Sequence, residues 1–339
     1  MHLKKEFGLR MSGLALALVT GLLTMATGGA CAQNKIPRPA LLVLNKADNT
    51  LVIVDPVTLK VAGKVDTGVA PHEVAVSADG KTAIVTNYGA DHKGTTMSVI
   101  DVPTMTEVGK VTFPGLEGPH GIWVVGDKAF FTNEGDKSLG VFDFVANNID
   151  LHLVLGQKRP HMVVLSKDGQ RAFVSNIESN TVSVEEMKKK ITDWTGTNVK
   201  VGKGPEGIDL SPDQKEVWVA NSGDGTVSVI DVASKKVTAT IDVKTQHSNR
   251  LKFTPDGKLV LISDLGTGEL VIFDVASKKE VKRLPLGKNA EGILIQPDGA
   301  RAFVAVSADD KIAVVDLKAL EVTTTFATGK EPDGMAWRN

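Results

Sequence analysis

The sequence PEGIDLSPDQKEVWVAN at residues 205–221, followed by TVSVID at residues 226–231, carries the pattern that decides the fold. Short runs rich in Val and Ile are separated by turn residues, which is typical of β-hairpins. No sustained helical periodicity accompanies them, and β-branched residues are poorly suited to helices. The stretch therefore predicts successive short β-strands.

The same pattern is found in the segment that begins at Pro71. Its four predicted strands span residues 74–77, 82–86, 97–100 and 107–113. The dipeptide Asp79-Gly80 supplies the hairpin turn between the first two strands. One unit of the chain is therefore predicted to be four short strands joined by turns.

This unit recurs along the chain. The related phrases begin 41 to 48 residues apart, on average 43.5, at Pro71, Pro119, Pro160, Pro205, Ser248, Ala290 and Pro332. A period of this length is typical of β-propellers, in which each repeat is a four-stranded blade.

The two ends of the repeat are incomplete in complementary ways. Residues 332–337 supply a first strand, whereas residues 40–45, 50–55 and 59–66 supply a second, third and fourth strand. Pairing them would close the ring without a free sheet edge. The sequence therefore predicts an all-β, seven-bladed β-propeller with four antiparallel strands per blade, forming a single domain over residues 33–339.

The N-terminus predicts export. A short basic segment, an apolar stretch too short to span a bilayer and the tripeptide Ala30-Cys31-Ala32 are typical of a signal peptide over residues 1–32, cleaved after Ala32. The alternative is a lipoprotein anchored through Cys31. Either route predicts a periplasmic or secreted protein, and no later apolar run has the length of a transmembrane segment.

Charge and cysteine content exclude several classes of function. After removal of residues 1–32 the chain has 36 basic and 39 acidic residues and no cysteine. Nucleic-acid binding needs a broad basic surface, so it is not expected. The run Lys188-Lys189-Lys190 is interpreted as a solvated sheet edge. Disulfides and cysteine-based zinc sites are excluded for the mature chain.

The repeats resemble those of the YVTN-repeat, YncE-like seven-bladed β-propellers. The typical unit has P-x-x-V-A-V-S-x-D-G-K, then V-T-N, then T-V-S-V-I-D, which residues 71–87 and 98–101 match, and the resemblance covers residues 38–339. Relatives implied by it include extracytoplasmic binding proteins, lactonase-like hydrolases, lyases and propeller subunits of redox enzymes. One unit departs from the pattern, with Glu185-Glu186 in its third strand, which predicts an irregular outer edge.

One register differs from blade to blade and is therefore the better candidate for function. It lies just before each first strand and is polar in every unit: His72, His120, His161, Glu206, Asn249, Glu291 and Asp333. Because the first strand of a propeller blade is innermost, these residues are predicted to surround one mouth of the central channel. Their structural alternative is that a histidine here simply bonds a neighbouring loop carbonyl.

The histidine and acidic side chains at this mouth are suited to two kinds of chemistry. Imidazoles that converge with carboxylates suit a divalent or transition metal, with His72, His120 and His161 as possible ligands, or general acid–base catalysis. Loops on the same face are predicted to add further polar side chains: Tyr88, Asp91, His92, Glu134 and Glu178. Tyr88 is the only tyrosine and begins an unusually long loop, so it is included among the ligand-binding candidates.

Three functions remain open. The first is binding of a small molecule, peptide or periplasmic protein at the mouth, by a monomer and without catalysis. The second is a lactonase-like hydrolase or lyase, with Glu206, Glu291 or His161 as the base and a metal or Arg250 stabilising negative charge. The third is an accessory subunit that docks a periplasmic redox partner. Motifs for phosphate loops, covalent haem and serine hydrolases are absent from the sequence.

Overall fold

The computed structural model describes residues 36–339. These residues form seven four-stranded antiparallel sheets, which confirms the predicted all-β, seven-bladed propeller. The proposed signal peptide and Cys31 lie outside the described residues. No helix within residues 36–339 is long and apolar enough to cross a membrane.

Within each blade, the strands are given in order from the innermost to the outermost. Blade 1 contains β4 (Pro71–Val76), β5 (Thr82–Asn87), β6 (Thr96–Asp101) and β7 (Thr106–Val111). Blade 2 contains β8 (Pro119–Val125), β9 (Lys128–Asn133), β10 (Ser138–Asp143) and β11 (Asn148–Val154). Blade 3 contains β12 (Pro160–Leu165), β13 (Arg171–Asn176), β14 (Thr181–Met187) and β15 (Trp194–Lys200). Blade 4 contains β16 (Pro205–Leu210), β17 (Glu216–Asn221), β18 (Thr226–Asp231) and β19 (Lys236–Asp242).

The remaining blades follow the same order. Blade 5 contains β20 (Ser248–Phe253), β21 (Leu259–Asp264), β22 (Glu269–Asp274) and β23 (Lys279–Pro285). Blade 6 contains β24 (Ala290–Ile295), β25 (Arg301–Val306), β26 (Lys311–Asp316) and β27 (Glu321–Phe326). Blade 7 contains β28 (Pro332–Arg338), β1 (Ala40–Asn45), β2 (Thr50–Val54) and β3 (Val61–Asp66). Two short 3-10 helices span Ile177–Ser179 and Ser307–Asp309.

Blade 7 closes the ring. Strand β28, from the C-terminal end, pairs antiparallel with β1, and Leu42 lies opposite Ala336. This is the composite blade that the two incomplete ends of the repeat predict. The core lies mainly between adjacent blades, as in the cluster in which Leu42 and Ala336 pack with Val74 and Val85 of blade 1.

Glycine lets the innermost strands approach one another closely. A Cβ atom added at Gly121 of blade 2 would lie 2.5 Å from the carbonyl oxygen of His161 in blade 3, and one at Gly292 of blade 6 would lie 2.2 Å from that of Asp333 in blade 7. Any side chain at these positions would force neighbouring backbones apart. The glycines therefore hold the channel narrow.

Two details of the sequence-based prediction are wrong. The seven polar positions lie inside the first strands, as their second residues, rather than before them. The outer edge of blade 3 is regular, because β14 pairs with β15 without a register shift, whereas the corresponding pair in blade 1 is shifted between Val99 and Ile100. Glu185 lies opposite Gly196, which has no side chain, so the buried carboxylate fits without disturbing the register.

Candidate functional site

A backbone irregularity at every innermost strand directs the seven polar residues toward the channel mouth. In blade 2, for example, the pairing of β8 with β9 jumps from Pro119 to Ile122, so that His120 and Gly121 have no partner in the ladder. A β-bulge of this kind changes the direction of a side chain. The ring residues are defined here as His72, His120, His161, Glu206, Asn249, Glu291 and Asp333, and the mouth that they surround as the polar mouth.

In blades 1 and 2, a threonine hydroxyl of the second strand bonds the bulge and links it to the next blade. Thr86 Oγ1 accepts from the backbone N–H of Glu73 at 3.1 Å and donates to the carbonyl of His120 at 2.8 Å. Thr132 does the same between Gly121 and His161. The Thr of the V-T-N phrase therefore fixes the backbone of the next ring residue.

Aromatic rings occupy the side of the polar mouth formed by blades 1 to 3. The ring centroids of His72 and His120 are 5.1 Å apart, those of Tyr88 and His120 are 5.2 Å apart, and those of His120 and His161 are 3.8 Å apart. Burial lowers the pKa of His72 to about 4, and burial together with the neighbouring imidazoles lowers the pKa of His120 well below its ordinary value. Both imidazoles are neutral near pH 7.

His161 is the exception among the three histidines. Its Nδ1 lies 3.0 Å from Glu134 Oε1, and its Nε2 lies 3.6 Å from Glu206 Oε1. Burial opposes a charge on the ring, but the hydrogen bond to Glu134 and the nearby Glu206 outweigh it and raise the pKa of His161. The His161 ring therefore lies between two carboxylates, and Tyr88 donates to the second oxygen of Glu134 at 2.8 Å.

Glu206 is held as an anion by the groups around it. Asn249 Nδ2 donates to one of its oxygens at 3.0 Å, and His247 Nε2 lies 3.2 Å from the other. Burial alone would raise the pKa of Glu206, but His161 and His247 lower it far below the ordinary value. A carboxylate stabilised in this way is a poor base.

An ion pair crosses the channel just inside the polar mouth. Arg250 of blade 5 donates through Nε to Glu73 of blade 1 at 3.0 Å, and its Nη1 donates to Asn249 at 3.0 Å. Both charged side chains are buried. Burial opposes the guanidinium charge, but Glu73 and Asp333 outweigh it and raise the pKa of Arg250. The Glu73–Arg250 bridge thus spans the channel from one blade to another.

Blades 6 and 7 contribute a second charged group. Lys46, directly after β1, forms an ion pair with Glu291 and lies 3.4 Å from Asp333. Ser307 donates to the other oxygen of Glu291 at 2.7 Å. Burial and the Asp333 charge raise the pKa of Glu291 to about 7, although Lys46 acts in the opposite direction. Glu291 is therefore the carboxyl group of the polar mouth that titrates near neutral pH.

Three buried polar atoms of the ring residues have no hydrogen-bond partner within the described part of the chain. They are His120 Nδ1, His161 Nε2 and Asp333 Oδ1. A buried polar atom without a partner costs about 1–3 kcal/mol. The polar mouth is thus under-satisfied by the protein alone.

A metal site is a poor fit to this geometry. Within residues 36–339, no group of three His, Cys, Asp or Glu side chains is arranged to hold a metal ion. His161 Nδ1 is engaged by Glu134 at 3.0 Å, and the tilted rings of His120 and His161 lie 3.8 Å apart between centroids. The proposal of His72, His120 and His161 as ligands stays a prediction from the sequence.

The structure brings together most, but not all, of the predicted site. Glu134 and Tyr88 contact the ring residues as described above, whereas Asp91, His92 and Glu178 are exposed. His72 also satisfies the structural alternative, because its Nδ1 lies 2.8 Å from the carbonyl oxygen of Ala70.

Sequence reasoning missed Lys46. The signal was present, since Lys46, Tyr88, Glu134 and Ser307 all occupy the position directly after the second strand of their blade. Each of the four contacts one of the ring residues. A column of residues after the second strand therefore forms a second layer of the mouth.

Comparisons with solved structures support the fold. The periplasmic gluconolactonase of Pseudomonas aeruginosa is 18% identical, with a TM-score of 0.75 over 89% of this chain and 99% of its own. A protein from Bacteroides uniformis provisionally described as a 6-phosphogluconolactonase is 17% identical, with a TM-score of 0.76 over 90% and 100%. Hydrazine synthase of Kuenenia stuttgartiensis is 21% identical, with a TM-score of 0.66 over 78% and 88%.

At these identities the likeness concerns the fold. No curated protein matches the chain in a sequence comparison. The family described as lactonase, 7-bladed beta-propeller, matches residues 151–336, which is more than half of the chain and includes blades 3 to 6 entirely. The chain belongs to this family of seven-bladed lactonase-type propellers.

Proposed function

We propose that this protein is an exported propeller that binds a small, hydroxyl-rich molecule at the polar mouth. The observation that carries the proposal is the set of three buried atoms that lack a hydrogen bond within residues 36–339, His120 Nδ1, His161 Nε2 and Asp333 Oδ1. The last two have only longer charged contacts, with Glu206 at 3.6 Å and Arg250 at 3.9 Å. Hydroxyl groups both donate and accept, so one ligand could satisfy imidazole nitrogens and a carboxylate oxygen together. Family membership and the gluconolactonase fold similarity support a sugar-like ligand.

The aromatic side of the mouth supports the same class of ligand. Tyr88 and the neutral rings of His72 and His120 offer an uncharged surface on one side, whereas Glu206, Glu291 and Asp333 offer acceptors on the other. A sugar has C–H faces and hydroxyl edges, so it complements both sides.

Calorimetric titration with D-glucono-1,5-lactone and D-gluconate tests this proposal. The matched pair of variants is His120→Phe, which keeps a ring but removes Nδ1, and His152→Phe, which changes a histidine on the outer strand β11 of the same blade. We expect His120→Phe to weaken binding at least about tenfold, equivalent to about 1.4 kcal/mol, and His152→Phe to leave it unchanged. Absence of binding to the wild type, or equal loss in both variants, would refute the proposal.

Lactone hydrolysis at the same mouth is the second candidate, and Glu291 favours it. Of the three bases expected from the sequence, Glu206 is stabilised as an anion and His161 lies between two carboxylates that raise its pKa, whereas the pKa of Glu291 is raised to about 7. A general base works best with a pKa near the working pH. Glu291 would take a proton from water, and Arg250 or Lys46 would stabilise the negative charge that develops on the lactone oxygen.

A pH-stat assay of lactone opening separates catalysis from binding. Glu291→Gln is expected to lower kcat at least about a hundredfold while binding persists. The control Glu321→Gln alters an exposed residue of β27 in the same blade. If the wild type does not accelerate lactone opening above the buffer rate, hydrolysis is excluded, and the binding proposal stands or falls on its own titration.

A further inference from the structure

Beyond the Glu73–Arg250 bridge the central channel changes character. It opens into a cavity of about 300 Å³, referred to as the lower channel. Apolar side chains form most of its wall: Ile122, Trp123, Val163, Phe253, Ile293 and Leu294. Its volume lies at the small end of the range for ligand sites, which are mostly apolar with few polar groups.

The bridge separates this cavity from the polar mouth. Glu73 and Arg250 both line the lower channel, and they are the third residues of their strands, one position farther along than the ring residues. The residues that follow them toward the opposite end of the channel are largely apolar. The two ends of the channel therefore present different chemistry to solvent.

Below the bridge, Lys252 is a charged residue in the otherwise largely apolar wall of the lower channel. It extends from blade 5 so that Nζ lies 5.0 Å from the ring centroid of Trp123 in blade 2, across the channel. Trp123 also packs against the hydrophobic clusters of blades 2 to 4. The cation is thus held over an aromatic wall, where it faces the cavity.

The ion pair that Lys252 forms among the described residues is a long one. The one carboxylate oxygen within 4 Å of Nζ is Asp209 Oδ1, at 3.9 Å. Asp209 is already engaged, because it accepts from the backbone N–H groups of Phe253 at 2.9 Å and Leu210 at 3.1 Å. Burial also raises the pKa of Asp209, so its negative charge is disfavoured. An anion supplied from outside would pair with Lys252 better than Asp209 does.

We propose that the lower channel is a second binding site, for a small amphipathic carboxylate whose apolar body packs against Trp123 and Phe253 and whose carboxylate pairs with Lys252. Charge complementarity selects the carboxylate, and the apolar wall selects the body. A neutral apolar molecule would leave Lys252 unpaired, and a polyol would place hydroxyl groups against aliphatic side chains, where they would find no partners. This site does not depend on the ligand proposed for the polar mouth.

Titration with hexanoate and 1-hexanol tests the proposal, because the two probes share an apolar chain and differ in charge. Calorimetry reports affinity, and Trp fluorescence reports contact with Trp123. We expect the wild type to bind hexanoate at least about tenfold more tightly than 1-hexanol. Lys252→Gln should remove that preference by weakening hexanoate binding about tenfold while 1-hexanol binding is unchanged.

A matched control is provided by Lys278, whose Nζ lies 5.3 Å from the ring centroid of Trp218, outside the channel wall. Lys278→Gln should bind both probes as the wild type does, and thermal melting verifies that each variant is folded. Trp123→Phe keeps an aromatic wall and should abolish the fluorescence change but not the heat of binding.

Three results would overturn the second site. They are hexanoate binding that is absent in the wild type, binding that is unchanged in Lys252→Gln, or a fluorescence change that persists in Trp123→Phe. Because the mouth variant His120→Phe should bind hexanoate normally, failure of this site is distinguishable from failure of the proposed ligand at the polar mouth.

Discussion

At the scale of single residues, the polar mouth shows that two glutamates at equivalent positions of the repeat can have pKa values shifted in opposite directions. Glu206 and Glu291 occupy equivalent positions in blades 4 and 6, yet the pKa of the first is lowered and that of the second is raised. The difference arises from their neighbours, since Glu206 faces His161 whereas Glu291 lies near the Asp333 charge. The repeat predicted that both positions are polar, but the pKa of each depends on side chains from other blades, which the sequence pattern does not align.

The raised pKa of Glu291 predicts a specific pH dependence of stability. In the folded protein Glu291 has a pKa of about 7, whereas the ordinary pKa of a glutamate is 4.5. The folded state is therefore favoured by protonation of Glu291, and this stabilisation is lost as pH rises from about 5 to above 7. Glutamine at position 291 cannot lose a proton, so Glu291→Gln should not show this loss. Between pH 5 and pH 8 the free energy of unfolding of the wild type should fall by on the order of 2 kcal/mol more than that of Glu291→Gln. Urea unfolding at the two pH values measures it, with Glu321→Gln as the control, and parallel changes in wild type and Glu291→Gln would contradict the assignment.

At the scale of elements, the innermost strands combine a bulge with a close approach between blades. Sequence periodicity placed strands such as β1 correctly at residues 40–45. It did not indicate the bulge at the ring residues, because the bulge depends on the pairing with the adjacent strand, which the alternation along one strand does not specify; it also occurs in blades 4 and 6, where Ala220 and Ala305 take the place of Thr132. The expected irregularity in blade 3 was wrong for a related reason, since Gly196 on the partner strand accommodates Glu185.

The close approach predicts a sharp difference between two glycine substitutions. Gly121→Ala places a Cβ atom 2.5 Å from the carbonyl oxygen of His161 and should destabilise the protein by about 1–3 kcal/mol. Gly109→Ala, on the exposed strand β7, meets no atom within 4 Å and should be neutral or slightly stabilising. Urea denaturation compares them, and equal stabilities would show that the innermost strands can move apart at little cost.

At the scale of the whole molecule, the number of blades and the closure of the ring follow from the repeat, because a fixed period and two complementary ends specify them. The pairings across the channel do not follow from it. Arg250 reaches Glu73 over 177 residues of sequence, and Lys46 pairs with Glu291 over 245 residues. Such contacts depend on which blades face each other across the channel, so the repeat pattern does not predict them.

Ring closure predicts a cooperative response to truncation. Deleting residues 335–339 removes the part of β28 in which Met335 and Ala336 pair with Val43 and Leu42. Blade 7 would lose its innermost strand and expose an edge, so we expect Tm to fall by at least about 10 °C in a single transition. Removal of the exposed Asn339 alone is the control. An unchanged Tm after the longer deletion would refute closure through β28.

The Glu73–Arg250 bridge also links the two proposed binding sites. Glu73 and Arg250 line the lower channel, and Arg250 donates to the ring residue Asn249. A substitution at either charged residue is therefore expected to alter both sites at once, whereas His120→Phe and Lys252→Gln each alter one.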